Sequence, residues 1–412
     1  MSDAQAHAED PAPHAPAPTR PPLRVAVVSE TWPPEVNGVA ATAARVLAGL
    51  RQRGHTLQLL RPRQRPDEQA ACEPGFDEQL LRGLPIPRYP QLRMGLPATR
   101  TLQRLWQAQR PDVVHLVTEG PLGWSALQAA RALGLPVVSD FRTNFHAYSR
   151  HYGAAWLGRP IVGYLRHFHN RTTCTMVPTE ALRAELQAEG FENLRVVARG
   201  VDTVRFDPCH RSEALRRRWG AGPGDLVAVH VGRIAPEKNL ETLLAAHAAM
   251  ADRDPRVKLV FVGDGPARAA LQRRCPTAVF AGLQRGEALA AHYASADVFL
   301  FPSLTETWGN VLPEAMASGL AVVAFDCAAA GQLVRHGHNG LLVRVGDDAG
   351  FCRTAARLAG AWREVRALGG QARQAALPLG WDRITGEVEA EYRRAIAPAP
   401  RPGVAGLAAR TT

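Results

Sequence analysis

The sequence predicts an α/β protein of two doubly wound domains facing a shared cleft. Three observations predict it. The chain has 412 residues, too many for one ordinary core. Through the first half, short β-branched runs alternate with longer stretches of helical periodicity, as in a parallel sheet with crossover helices. After a turn-rich crossing at Asn193–Pro208 the alternation begins again. Apolar residues make up 46% of the chain, which suits a globular protein rather than a disordered one.

Each element follows from its own pattern. Leu23–Glu30 (LRVAVVSE) reads as the first strand, and Gly38–Gly54 (GVAATAARVLAGLRQRG) as a helix ending near its glycine. HTLQLLRP is the second strand and PDVVHLVTEG (Pro111–Gly120) the third, followed by the helical PLGWSALQAARALG. LPVVSDF is the fourth strand, and TTCTMVPTEALRAELQAEG reads as strand, loop and helix. The second unit runs through DLVAVHVG, VKLVFVG, TAVFAG, ADVFLFPS, LAVVAFD and GLLVRV, with helical segments between them. A last amphipathic pattern covers Trp381–Ile396. No repeat of 20–50 residues is present. The expected organisation is a disordered tail at 1–22, a first domain at 23–205, a second at 206–376, a final helix at 377–397 and a second tail at 398–412, both tails being rich in Ala and Pro.

Composition narrows the function. No apolar run approaches the length that spans a membrane, and the N-terminal stretch lacks the apolar core of a secretory signal. The six cysteines (Cys72, Cys174, Cys209, Cys275, Cys327 and Cys352) form no CxxC pair, so reduced thiols in the cytoplasm are expected and a zinc site is not. The net charge of +11 comes almost entirely from Arg, since Lys238 and Lys258 are the only lysines. Arg51–Pro66 and Arg88–Arg93 concentrate positive charge, either as a solvated surface or as a patch for anionic lipid headgroups. The charge would suit nucleic acid, but no recognition module accompanies it.

The chemistry-bearing motifs all follow strands, where doubly wound sheets bind ligands. In VGRIAPEKNLETLL, Arg233 and Lys238 stand five residues apart at a helix entry, where cations are unfavourable unless an anion answers them. A diphosphate would answer both, with Arg as a fork and Lys as a point charge. A surface loop with a Glu–Lys pair is the alternative. In FVGDGPARAALQ, Gly263 and Gly265 permit a tight turn, and Asp264 caps that turn or touches a ligand. In PPEVNGVAATAARVL, Gly38 lets backbone approach a phosphate or sugar at a helix N-terminus. FPSLTETWGNVLPEAMASG carries Glu306 and Glu314 with seven residues between them. A helix starting near Asn310 would offer the amides of Asn310, Val311 and Leu312 to an anion, with Gly309 at its entry. Two carboxylates bracketing that end would hold a sugar and a ribose on either side of a diphosphate; the plainer alternative is that both merely favour a helix N-terminus.

Together these residues resemble the family-4 retaining glycosyltransferases of the two-Rossmann GT-B type, over roughly residues 24–397. The resemblance implies that Glu306 contacts the donor sugar, Glu314 the ribose, and Arg233 and Lys238 the diphosphate. The family's Gly-rich acceptor-side loop corresponds to VNGVA, where its usual glycine pair is Asn37–Gly38 here. It also implies that the last helix crosses back to the first domain. SETWPPEVNGVA, HLVTEGPLGWSAL, SDFRTNFHAYSRHYG and ARGVD look most like the GDP-mannose-dependent α-mannosyltransferases; relatives using UDP-glucose, UDP-galactose or UDP-sulfoquinovose share much of the pattern. Many relatives carry His-Thr after the fourth strand. Here Arg142 stands instead, cannot serve as a base, and would hold phosphate or acceptor. His115 and His146 are candidates to line the sugar site, with structural roles as the alternative.

The resemblance implies a front-face retaining transfer in which Arg233, Lys238 and the helix-end amides stabilise the leaving diphosphate and Glu306 orients the sugar. No Asp-x-Asp follows a strand, so no metal is expected. The acceptor would be a lipid or glycan, met at Tyr152–His169, and peripheral contact with an anionic membrane would accompany a lipid. A nucleotide-sugar epimerase is the rival enzyme and a non-catalytic binder of anionic ligands the rival class. A pyridoxal-phosphate phosphorylase would need a Schiff-base lysine, and only two lysines exist.

Overall fold

The computed structural model describes residues 20–35, 37–86, 89–142, 155–304 and 306–397. Nearly all of both expected tails, Arg88 of the second basic run, and His146 lie outside the described residues.

Two mainly parallel sheets form. The first takes β1 (Arg24–Val28), β2 (Thr56–Pro62), β3 (Cys72–Glu73), β4 (Phe76–Leu81), β7 (Val113–Leu116), β8 (Val137–Asp140), β9 (Cys174–Val177) and β10 (Leu194–Val196), in the order β10-β9-β8-β7-β1-β2-β4-β3. Its strands are parallel except β3, which runs antiparallel to β4. A separate antiparallel hairpin pairs β5 (Gly83–Ile86) with β6 (Tyr89–Gly95). The second sheet takes β11 (Val227–Val231), β12 (Lys258–Val262), β13 (Val279–Gly282), β14 (Val298–Phe301), β15 (Ala321–Phe325) and β16 (Leu341–Val343), in the order β13-β12-β11-β14-β15-β16. The strands read as continuous apolar runs because helices cover both faces: β7, β11, β14 and β15 are buried throughout.

The strand order decides where ligands go. In each sheet the chain starts at a central strand, winds to one side, then returns and winds to the other. The crevice at that reversal is where doubly wound sheets bind ligands. It falls between β1 and β7 in the first sheet and between β11 and β14 in the second.

Between the units, Arg373 fixes the linker. Its guanidinium donates to the carbonyls of Thr203 (3.0 Å), Phe206 (2.7 Å) and Ala317 (2.7 Å) and pairs with Asp207. The helix Trp381–Ile396 returns to the first sheet, where Val388 and Tyr392 join the core of β1, β2 and the helix Gly38–Gln52. The positive run at Arg51–Pro66 is not uniformly solvated. Arg61 is buried and donates to Glu78 and Glu68, both at 2.7 Å, because β4 covers that part of β2.

Candidate functional site

The site begins at the β11–β14 reversal. β11 ends at Val231, and the loop that follows from Gly232 passes through a short 3-10 turn at Pro236–Lys238. β14 ends at Phe301, and its loop carries Ser303 and Glu306. Because the two strands are neighbours, residues 68 apart in sequence meet: the Lys238 ammonium pairs with Glu306 Oε1. Ser303 Oγ donates to the same oxygen at 2.8 Å, so both contacts hold one side of the carboxylate. Glu306 Oε2 has no hydrogen-bond partner among the described residues. Arg233 pairs with Glu237 and leaves 65% of its side chain exposed. Each predicted diphosphate cation is thus answered by a glutamate in the free protein.

Gly309 follows at φ +86°, a left-handed conformation that suits glycine. A Cβ there would lie 3.1 Å from the Phe301 ring and 3.5 Å from Glu306 Cγ. The glycine therefore lets the loop close over Glu306. The helix Val311–Ala317 starts where the sequence predicts, with Asn310 at its N-cap. Of the three amides expected to face an anion, that of Leu312 already donates to Gly309 O at 3.0 Å.

Glu314 accepts from the fully buried Tyr293 hydroxyl at 2.9 Å. Burial pushes its pKa up to about 7, while the Tyr293 hydrogen bond and the charge of Arg205 pull the other way. Glu314, Asn310, Leu289, Arg205, Asp202 and Thr42 border a cavity of about 400 Å³ between the two units. Arg45 and Asp202, 3.2 Å apart, form an ion pair at that cavity.

Asp264 is engaged by its own loop. It accepts from the Gly265 amide at 2.8 Å and from Arg268 at 3.0 Å, which is the turn-capping role.

The first unit forms the facing wall. Asn37 caps the helix Gly38–Gln52, accepting from the Ala40 amide at 2.8 Å and donating to Thr31 Oγ1 at 2.6 Å. At Gly38 the two units come together: a Cβ there would lie 3.3 Å from Asn310 Nδ2 and 4.0 Å from Arg199 Nη1. Glycine at this position keeps that approach open.

Arg142 is held by Asp140 through Nε at 2.9 Å and through Nη2. Burial alone would raise the Asp140 pKa, but Arg142 and His115 hold it well below the usual carboxylate range. His115 does not line the cleft. It is 2% exposed, with Nδ1 2.8 Å from the Tyr392 hydroxyl and Nε2 3.1 Å from Asp140 Oδ2. It stands behind the wall, because β7 is buried on both faces and the returning helix covers it.

Five further residues belong to this site. Ser303 and Tyr293 position the two glutamates, Asp140 holds Arg142, and Arg199 faces Gly38. His230 is fully buried behind the β11 loop, and burial with the Lys238 charge pushes its pKa down to about 4. Asp140 and Arg199 fall within SDFR and ARGVD, stretches that carry the resemblance without marking either residue as part of the site; the others carry no local signal. Among the described residues, no group of three or more His, Cys, Asp or Glu side chains is placed to hold a metal ion. No helix among them is long and apolar enough to cross a membrane.

Residues 36–205 match the family described as Glycosyltransferase Family 4, and residues 225–360 match Glycosyl transferases group 1. A Mycobacterium tuberculosis (strain CDC 1551 / Oshkosh) protein named GDP-mannose-dependent alpha-mannosyltransferase is 39% identical over 333 residues, covering 79% of this chain and 85% of that one. A protein of the same name from Mycolicibacterium smegmatis is 37% identical over 373 residues, covering 90% and 97%. Sucrose-phosphate synthase from Thermosynechococcus elongatus superposes with a TM-score of 0.73 over 90% of this chain and 98% of that one, at 19% identity, which shows the fold. With two doubly wound units, the paired glutamates after β14 and these matches along both halves, the chain belongs to the family-4 glycosyltransferases of the GT-B fold.

Proposed function

We propose that the chain transfers mannose from GDP-mannose, with retention, to a lipid or glycan acceptor. The meeting of Lys238 and Glu306 at the β11–β14 reversal, with Glu314 beyond the same helix start, carries this reading. The two relatives named for GDP-mannose support mannose over other hexoses.

On this reading, donor binding draws Lys238 and Arg233 from their glutamates onto the diphosphate. Glu306 then accepts from sugar hydroxyls and Glu314 from the ribose. The amides of Asn310 and Val311 add to the positive field at the leaving group. The acceptor hydroxyl attacks C1 on the face from which the nucleotide departs. The C1–oxygen bond to the diphosphate breaks, and a departing diphosphate oxygen takes the acceptor proton. The reading assigns the diphosphate charge to Arg233, Lys238 and these amides and includes no metal.

The acceptor side includes Asn37 and Arg142. The helix Ala155–His169 exposes Tyr164 beside Arg166 and His167, which supports peripheral contact with an anionic membrane at the cytoplasmic face. The test is a donor screen by calorimetry and by hydrolysis, setting GDP-mannose against UDP-glucose and UDP-galactose, with lipid extracts then offered as acceptors. GDP-mannose should bind at least tenfold more tightly. Tighter binding of either UDP-hexose would overturn the donor assignment.

A further inference from the structure

Arg199 lies just beyond β10, on the wall opposite Glu306. It borders a cavity of about 30 Å³ with Thr42, Asp140, Arg142 and Val197. Its Nη1 stands 4.0 Å from where a Gly38 Cβ would be. Among the described residues neither carboxylate near it forms an ion pair with it. Asp140 is engaged by Arg142 and lies 3.1 Å from His115 Nε2, and Glu306 is engaged by Lys238. Among the described residues Arg199 has no hydrogen-bond or ion-pair partner. Burial and the neighbouring Arg142 charge push its pKa down to about 9, against a weaker upward pull from Asp140 and Glu306. Among the described residues, this part of the wall therefore carries one more cation than its carboxylates answer. Arg199 is half-buried, so its guanidinium keeps part of its hydration, and an opposite charge arriving there would replace water with a charge-assisted contact.

We infer that Arg199, backed by Arg142, forms an oxyanion subsite on the first unit's wall of the cleft, taking a phosphate or carboxylate group that enters beside Gly38. A guanidinium suits that role because its planar fork matches both groups with paired hydrogen bonds. Two sources carry this chemistry: the diphosphate of the donor and an acidic group on the acceptor. The inference rests on the donor half of the cleft only through the position of Glu306, and it does not depend on which sugar the donor carries.

The experiment uses the full chain with three probes. Calorimetry measures GDP; glycerol 3-phosphate in the presence of saturating GDP; and glycerol under the same condition as the uncharged control. Wild type is compared with Arg199→Met and Arg199→Lys, and thermal melting checks folding. Arg199→Met should weaken GDP or glycerol 3-phosphate at least tenfold and leave its melting within a few degrees of wild type. Arg199→Lys should recover part of the loss. A loss confined to GDP places the subsite on the donor diphosphate. A loss confined to glycerol 3-phosphate places it on an acidic acceptor. If both affinities stay within twofold in Arg199→Met, or if Arg199→Lys behaves as wild type while Arg199→Met fails to fold, the guanidinium is structural and the inference is overturned. Should the donor screen select a UDP-hexose, the mannose reading fails, UDP takes the place of GDP in these three probes, and the Arg199 outcomes are read in the same way.

Discussion

The Tyr293 hydroxyl donates to Glu314 Oε2 at 2.9 Å from inside the core of the second unit. That contact gives the second glutamate a fixed orientation and a conditional charge. The hydrogen bond favours the ionised form and burial opposes it, leaving a pKa of about 7. A carboxylate accepts from two ribose hydroxyls only when ionised.

Affinity for GDP should therefore rise as the pH climbs through about 7. Tyr293→Phe removes an interaction that lowers the Glu314 pKa, so its midpoint should move to higher pH. Glu314→Gln should abolish this part of the dependence. Calorimetry from pH 5.5 to 8.5 reads all three; a wild-type affinity flat across that range would show that Glu314 does not meet the ribose.

Lys238 should dominate turnover. Lys238→Ala removes the point charge from the leaving diphosphate and strips Glu306 of its partner. The expected loss in kcat/KM is about 100-fold or more, on the order of 3 kcal/mol of transition-state stabilisation. Steady-state kinetics with the best donor measures it, and retention of activity within tenfold of wild type would remove Lys238 from its assigned role.

Much of this architecture was legible because buried parallel strands and amphipathic helices write their periods plainly. The last helix was predicted at Trp381–Ile396 and has those bounds. The helix beginning at Gly38 ends at Gln52, two residues short of the predicted Gly54. The region between β2 and β7 was not legible. β4 reads FDEQLL, and Glu78 is buried there only because Arg61 of β2 answers it. A buried ion pair looks like a polar loop in one dimension. The helix Thr99–Ala108 buries only Leu102 and Trp106, too sparse a stripe to stand out. At the site, Glu306, Glu314, Arg233 and Lys238 could be named from spacing, yet the pairing of Lys238 with Glu306 depends on β11 lying beside β14. Tyr293 comes from the helix before β14 and has no local mark.

The second unit should depend on one buried ion pair. Arg216 is 1% exposed and donates to Asp297 Oδ2 at 2.9 Å and to Ser295 O at 2.8 Å; the Val227 amide donates to the same Asp297 oxygen at 2.8 Å. Asp297→Ala leaves a desolvated guanidinium without its carboxylate, a loss of about 3–5 kcal/mol. Arg216→Met in that background should recover part of it. Urea denaturation of the single and double variants is the measurement, and a loss under about 1 kcal/mol in Asp297→Ala would mean that water answers the cation.

The returning helix should tune the first unit's wall through a relay of polar contacts. The Tyr392 hydroxyl meets His115 Nδ1, His115 Nε2 lies beside Asp140, and Asp140 holds Arg142. Tyr392→Phe leaves a buried imidazole nitrogen without its partner, at a cost of about 1–3 kcal/mol. Loosening His115 frees Asp140 to shift, and Arg142 moves with it. The KM for acceptor should rise several-fold, and GDP affinity should stay within twofold unless the subsite of Arg199 and Arg142 holds the donor diphosphate. Denaturation, calorimetry and acceptor kinetics on one variant separate these effects. A fall in stability with an unchanged acceptor KM would show that the relay holds the helix in place without orienting Arg142.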